Sequence, residues 1–225
     1  MDLKFDFFYK TFNKNSFRTK CLIGQYDLEH KETIQKFEGD YKLPDNWNIG
    51  LIVGNSGTGK TSIAKHCFGK FTKCDFNDDP IIENFNKDLS MDFITDILGS
   101  VGFNSVPYWL KSFNVLSNGE KSRVELAKMI TENDFIIYDE FTSLVDRDVA
   151  KSMSNSIQKS IRKHNKQFIA VTCHKDIVEW MNPDWVYDTD EKVFFCHKNK
   201  EMKNSVLKSE ELQTNVGIFI KNIII

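Results

Sequence analysis

The chain has 225 residues, enough for one compact domain with a core of its own. Its net charge of −2, from 30 basic and 32 acidic residues, excludes a globally basic nucleic-acid-binding protein and leaves open only a local patch. The 5 cysteines (Cys21, Cys67, Cys74, Cys173 and Cys196) are odd in number and scattered, with no C-x-x-C pair, which argues against a disulfide framework and a zinc site and for reduced thiols in a cytoplasmic protein.

The opening residues, Met1-Asp2-Leu3-Lys4-Phe5-Asp6, are mixed and charged, so no signal peptide is expected there. Residues 4–12 and 19–26 are rich in β-formers and predict an N-terminal antiparallel β layer. Tyr26 falls in the second of these and reads either as an aromatic that stacks on an adenine ring or as an ordinary strand residue. Residues 42–46, with Pro44, form a turn. Residues 47–53 then read as a buried strand leading into Gly54-Asn55-Ser56-Gly57-Thr58-Gly59-Lys60-Thr61, and Thr61 and Ser62 open a helix. This is the phosphate-loop pattern G-x-x-x-x-G-K-[ST] in the context it requires. Its glycines let the backbone wrap closely around a polyphosphate, and the helix N-terminus adds partial positive charge. Lys60 is expected to reach the β- and γ-phosphates, and the Thr61 hydroxyl to hold Mg²⁺.

A polar loop, residues 75–79, precedes a short strand expected at Pro80-Ile81-Ile82 and ending at Glu83. Met91, Ile94, Ile97 and Leu98 recur at helical spacing. Ser117, followed three residues later by Glu120, is a capping box opening a helix through Ile130, and Gly119 in its first turn lets another molecule approach the backbone. Such a helix N-terminus is suited to meeting an anion. Phe135-Ile136-Ile137-Tyr138 is a buried strand that delivers Asp139 and Glu140 at its C-terminal end, where open α/β sheets place ligands. There Asp139 completes a Mg²⁺ shell, and Glu140 polarises an attacking water. A helix is expected over residues 147–163, and a strand over residues 167–172 that ends at His174. Residues 185–187 and 192–196 form a closing hairpin with Asp188-Thr189-Asp190-Glu191 as its turn. Residues 197–204 read as a solvated loop, and residues 216–225 as a strand, since Lys221 and Asn222 interrupt an apolar run already too short to span a membrane.

With these elements in order, the chain resembles the ATP-binding-cassette (ABC) ATPases over roughly residues 20–196. The resemblance rests on the phosphate loop, a signature like L-S-G-G-Q at Leu116-Ser117-Asn118-Gly119-Glu120, the strand with Asp139-Glu140, the loop ending at Asp146 and the switch His174. It departs at Asn118 and Glu120, which stand for glycine and glutamine. No glutamine occurs between Thr61 and Leu116, so Glu83 is the candidate for the family's glutamine-loop role at the metal. The short insert before the signature and the Asp-Glu-Phe-Thr-Ser stretch are most similar to a non-transporter bacterial and phage branch, the ABC ATPases associated with GNAT acetyltransferases.

The resemblance implies an α/β P-loop NTPase fold with a mostly parallel central sheet and a short helical subdomain at about residues 86–130, all in a single domain with a tail over residues 197–225. It implies ATP and Mg²⁺ as cofactors and a homodimer of head-to-tail copies. Ser117 and the Gly119 backbone of one copy would close on ATP held by the other, and Asp146 would lie near the dimer contact. In this scheme Glu140 activates water and His174 senses the γ-phosphate. The sequence does not name the load, and the leading expectation is a nucleic-acid, phage-conflict or regulatory partner. The alternatives are an ATPase subunit of a membrane transporter, a P-loop kinase (which needs no Ser117–Glu120 element) and a nucleotide-gated scaffold with little turnover.

Overall fold

The computed structural model describes residues 2–10, 16–27 and 34–196, and these form two compact units, Met1–Leu43 and Pro44–Ile225. The expectations for residues 197–204 and 216–225, and for Thr11 and Phe12, lie outside the described residues.

In the first unit, strand β1 (Asp2–Lys10) pairs antiparallel with β2 (Ile34–Lys42), in register from Asp2 opposite Lys42 to Lys10 opposite Ile34. Phe7 stacks on Phe37 directly across the pair at 5.0 Å, the cross-strand contact that stabilises such ribbons. Between the strands lies helix α1 (Phe17–Tyr26), where the sequence predicts a strand over residues 19–26. The reason is local. The Ser16 hydroxyl accepts the Thr19 N–H at the N-terminus, and Asp27 closes the helix in the left-handed conformation. The β partner of residues 2–10 is therefore residues 34–42, a segment of alternating polar and apolar character.

The second unit is built on a 5-stranded sheet of order β4-β5-β3-β6-β7, comprising β3 (Ile49–Val53), β4 (Phe135–Tyr138), β5 (Gln167–Thr172), β6 (Trp185–Asp188) and β7 (Val193–Cys196). Strand β3 pairs parallel with β5 and β6, β4 pairs parallel with β5, and only β7 runs antiparallel. Every residue of β3 is buried, as expected for a parallel strand covered on both faces. The helices are α2 (Lys60–Phe68), α3 (Met91–Ser100), α4 (Val106–Trp109), α5 (Asn118–Glu132), α6 (Arg147–Lys163) and α7 (Ile177–Met181). The Pro80-Ile81-Ile82 segment, expected as a strand, is instead a 3₁₀ turn over Ile81–Asn84, attached by a single bridge from Pro80 to Ser112. The Asn84 side chain curls the segment by donating to the Asp79 and Pro80 carbonyls.

The helical insert packs through Ile94, Ile97 and Leu98 of α3 against Val124, Ala127 and Ile130 of α5, while Met91 stays exposed. Lys128 is buried there. Its ammonium donates to the Asn84 carbonyl, pairs with Glu132 at 3.1 Å and lies over the Phe76 ring, so the charge is satisfied inside the fold.

Gly50 sits beside Trp185 in the β3–β6 register, and a Cβ on it would come within 2.0 Å of the indole. Trp185 is fully buried against Trp47, Phe68 and Phe194 and has nowhere to move. Gly50→Ala is expected to overpack this site and lower stability by about 1–3 kcal/mol, read as a lower melting temperature by circular dichroism.

Candidate functional site

The parallel pairing aligns the C-terminal ends of β3, β4, β5 and β6 along one edge of the sheet, and each carries a loop rich in polar residues. Strand β3 runs into residues 54–59, where Gly54, Gly57 and Gly59 have φ of 143°, 84° and 89°, values that L side chains rarely adopt. Asn55 is held at both ends of its residue. Its N–H donates to Asp190 Oδ1 at 2.8 Å, and its carbonyl accepts Lys60 Nζ at 2.6 Å. The Thr58 and Thr189 hydroxyls share a hydrogen bond of 2.5 Å, and Thr189 also donates to the Val53 carbonyl.

Lys60 is 9% exposed, and among the described residues its ammonium has a backbone carbonyl as partner and no carboxylate. Helix α2 begins here with no side-chain cap and no acid in its first turn. A buried cation beside an uncapped helix N-terminus is a site for an anion.

Strand β4 brings two acids to the same edge. Asp139 Oδ1 accepts the Thr61 hydroxyl at 3.2 Å and the Glu140 N–H at 3.1 Å. Burial raises the Asp139 carboxyl above the usual range, against the opposing effect of these two bonds. Thr61 and Asp139 thus offer adjoining hard oxygen donors, a set that fits Mg²⁺, which takes few protein ligands and keeps its waters. Glu140 has a φ of 54°, a left-handed conformation that is costly for a non-glycine residue. The cause is visible next to it. Phe141 is fully buried against Tyr138 and Phe168, and its N–H bonds to the Val171 carbonyl, so the backbone must turn sharply and leave Glu140 exposed. The Glu140 carboxylate accepts the Ser143 hydroxyl at 2.7 Å.

Two residues beyond the end of β5 lies His174, half-buried, its N–H bonded to the Thr172 hydroxyl at 3.1 Å. The two residues after it are both held by ion pairs. Lys175 pairs with Asp188 at 2.9 Å and Asp190 at 3.2 Å. Burial lowers the Lys175 pKa, but the bonds to the two carboxylates outweigh it and the net shift is upward. Asp176 pairs with Arg147, whose guanidinium also contacts the Thr142 hydroxyl and lies over the Trp180 ring.

The capping box at residues 117–120 forms as expected. The Ser117 hydroxyl accepts the Glu120 N–H, while Glu120 Oε2 accepts the Ser117 N–H at 2.9 Å and its hydroxyl at 2.8 Å. These bonds hold the Glu120 carboxyl below its usual range, the backbone bond foremost. At Gly119 a Cβ would meet the Leu144 carbonyl of the same chain at 3.0 Å, so on that side the backbone faces its own loop. Asp146 caps α6 through the Val149 N–H at 2.9 Å.

The structure therefore brings Lys60, Thr61, Asp139, Glu140 and His174 to one sheet edge, while Gly119 lies against the loop after β4 and Ser117 is exposed at the N-terminus of α5. Glu83 is exposed on the 3₁₀ turn, and among the described residues no group of three His, Cys, Asp or Glu stands close enough to cage a metal. Tyr26 is an exposed residue at the end of α1 in the first unit, not a strand aromatic. Sequence reasoning missed Thr189, Asp190, Lys175 and Ser143 as parts of the site. Residues 188–191 look like a plain hairpin turn, yet they follow the strand next to β3 and so share its functional edge.

No protein-family model matches the chain. Among curated proteins it is similar to the energy-coupling factor transporter ATP-binding protein EcfA1 of Staphylococcus aureus. The identity is 29% over 208 residues in strain USA300 and 27% in strain N315, covering 74% of this chain and 75% of the relative. Among solved structures, cbiO1 from Clostridium perfringens, part of the ABC transporter complex cbiONQ, matches with a TM-score of 0.56 at 16% identity over 82% of this chain and 91% of that one. A dimeric ATP-binding cassette in a post-hydrolysis state bound to ADP and Pi matches with a TM-score of 0.53 at 13% identity over 72% and 89%. These structural likenesses show the fold, the α/β P-loop architecture of the ABC cassettes.

A raised carboxyl pKa in the folded state means that ionising Asp139 opposes folding. Its contribution is fully present below the unfolded value of 3.8 and is lost as pH rises through the folded value. Asp139→Asn is therefore expected to be more stable than the wild type at neutral pH without nucleotide. The gain should shrink as pH falls toward the unfolded carboxyl range, as measured by urea unfolding across pH.

Proposed function

We infer that this chain is an ATPase of the ABC type, which binds and hydrolyses ATP at composite sites in a head-to-tail homodimer. The sequence similarity to EcfA1 and the cassette fold both support the ABC ATPase family. The observation that carries the site is the buried, carboxylate-free Lys60 ammonium beside the uncapped N-terminus of α2, with Thr61 bonded to Asp139. An ATP triphosphate satisfies the α2 N–H groups and replaces the Asn55 carbonyl as the partner of Lys60. Thr61 and Asp139 would hold Mg²⁺, which when bound neutralises charge on the β- and γ-phosphate oxygens.

Glu140 orients and deprotonates the attacking water. Its left-handed backbone aims the carboxylate away from the packed Phe141, and the Ser143 hydroxyl fixes its rotamer. His174 contacts the γ-phosphate from the adjoining strand end. The second copy supplies the N-terminus of α5, with Ser117 at its cap. The Glu120 carboxylate accepts both the N–H and the hydroxyl of Ser117, so the carboxylate at that helix end turns its charge toward its own cap. The capped signature helix speaks against a P-loop kinase, which has no use for it.

Two loads divide the reading. The short insert of α3 and α4 and the absence of a glutamine between Thr61 and Leu116 support the non-transporter branch, with a nucleic-acid, phage-conflict or regulatory partner. The similarity to EcfA1, by its name the ATP-binding protein of a transporter, supports the second reading, a membrane-embedded partner. No described helix of this chain is long and apolar enough to cross a membrane, so such a partner would have to supply the span.

Glu140→Gln is expected to keep ATP binding, slow hydrolysis roughly a hundredfold or more, and accumulate an ATP-bound dimer on size-exclusion chromatography. A variant that stays monomeric with ATP contradicts the composite site. Captured from cells in that trapped state, it separates the loads by whether a membrane protein, nucleic acid or other protein copurifies. Ser117→Arg is expected to abolish turnover while ATP binding to the monomer is retained, measured by equilibrium binding of a fluorescent ATP analogue.

A further inference from the structure

The carboxylate of Asp190 stands directly beneath a loop built to receive phosphate, a place where a negative charge needs a reason. Its side chain is 15% exposed, and its two oxygens do different things. Oδ1 accepts the Asn55 N–H at 2.8 Å, a charge-assisted bond to the first residue of the loop after Gly54. Oδ2 pairs with Lys175 at 3.2 Å, and Lys175 is the residue after His174. Asp188, nearly buried, turns the backbone by accepting the Asp190 and Glu191 N–H groups and also pairs with Lys175. The fit around Gly54 is close: a Cβ there would meet Thr189 Oγ1 at 2.2 Å and Asp190 Oδ1 at 3.1 Å.

We propose that Asp190 is a positioning residue that fixes the phosphate loop and ties it to the His174 loop through Lys175, which serves as its counter-charge. This rests on the ATPase reading above. The physical logic has two parts. The Asn55 N–H is turned away from the incoming anion and toward Asp190, which sets where the following N–H groups point. An unpaired carboxylate there would oppose the phosphates, so Lys175 has to neutralise it, and in doing so Lys175 draws the His174 loop against the phosphate loop. The loop that holds the nucleotide and the loop that contacts its γ-phosphate are thereby set by one side chain. Neither Asp190 nor Lys175 needs to touch ATP.

The test compares full-length wild type, Asp190→Ala, Asp190→Asn, Lys175→Met and the double variant Lys175→Met/Asp190→Asn. The readouts are steady-state ATPase kinetics and hydrogen exchange at the Asn55 amide without nucleotide. Asp190→Ala is expected to raise KM roughly tenfold or more and to speed Asn55 exchange by a similar factor, the scale of one charge-assisted hydrogen bond. Asp190→Asn retains an acceptor and should keep Asn55 protected, with a smaller rise in KM. Lys175→Met leaves Asp190 charged and unpaired, so KM should rise and kcat fall. Adding Asp190→Asn should recover part of that KM, a rescue that a merely structural role does not produce. Unchanged KM and Asn55 exchange in Asp190→Ala overturn the proposal, as does a double variant no better than Lys175→Met. If Asp190→Ala does not fold, the rescue decides alone. If the wild type neither binds nor hydrolyses ATP, the ATPase reading fails, and Asn55 exchange in Asp190→Asn against Asp190→Ala still decides the tether.

Discussion

The site depends on the parallel pairing of β3 with β5 on one side and β6 on the other. That pairing puts Val53 beside Thr172 and Asp188, so the phosphate loop, the His174 loop and the acidic turn leave the sheet together. A parallel strand flanked on both sides must be apolar throughout, and β3 is buried at every position. Gly50 is its one small residue, and the Trp185 ring occupies the missing side chain's space. A shift of one residue in this register would carry Asn55 away from Asp190 and Thr61 away from Asp139, so packing in the sheet and geometry at its edge are one constraint.

Charge at that edge is arranged in opposition. The Lys60 ammonium rests on a carbonyl, and the α2 N-terminus is uncapped, so both are underused without an anion. Asp139 is held where ionisation is disfavoured by burial, and Glu140 is held in a left-handed conformation. Each of these costs stability in the free protein and is relieved or used when a triphosphate and its cation arrive, the usual relation between a functional site and the fold that carries it. The acids that would otherwise repel the nucleotide, Asp188 and Asp190, are matched by Lys175.

Much of the second unit was legible in the sequence because its signals are local and agree with one another. Residues 54–61 combine glycines, a lysine and a hydroxyl between a strand and a helix. Ser117 and Glu120 define a helix start whose hydrogen bonds form as the spacing demands, and the helix at residues 147–163 and strand at residues 167–172 match the observed α6 and β5. What was not legible depends on partners distant in sequence or on competing local signals. Residues 19–26 carry β-forming side chains, but the Ser16 cap and the left-handed Asp27 make them a helix, and the partner of β1 is residues 34–42. Residues 80–82 lack a neighbouring strand and curl into a 3₁₀ turn around Asn84. The role of Asp190 is set by a contact 135 residues away in the chain, which no local pattern discloses.

The central claim is that one copy's phosphate loop works with another copy's signature helix. Complementation between two inactive variants tests it most directly. Lys60→Ala disables the phosphate loop and Ser117→Arg disables the signature, so each alone is expected to be inactive. In a mixed head-to-tail dimer, the intact phosphate loop of the Ser117→Arg copy faces the intact signature of the Lys60→Ala copy. Mixing the two purified variants should restore ATP hydrolysis, whereas a mixture as inactive as its components would contradict the composite site.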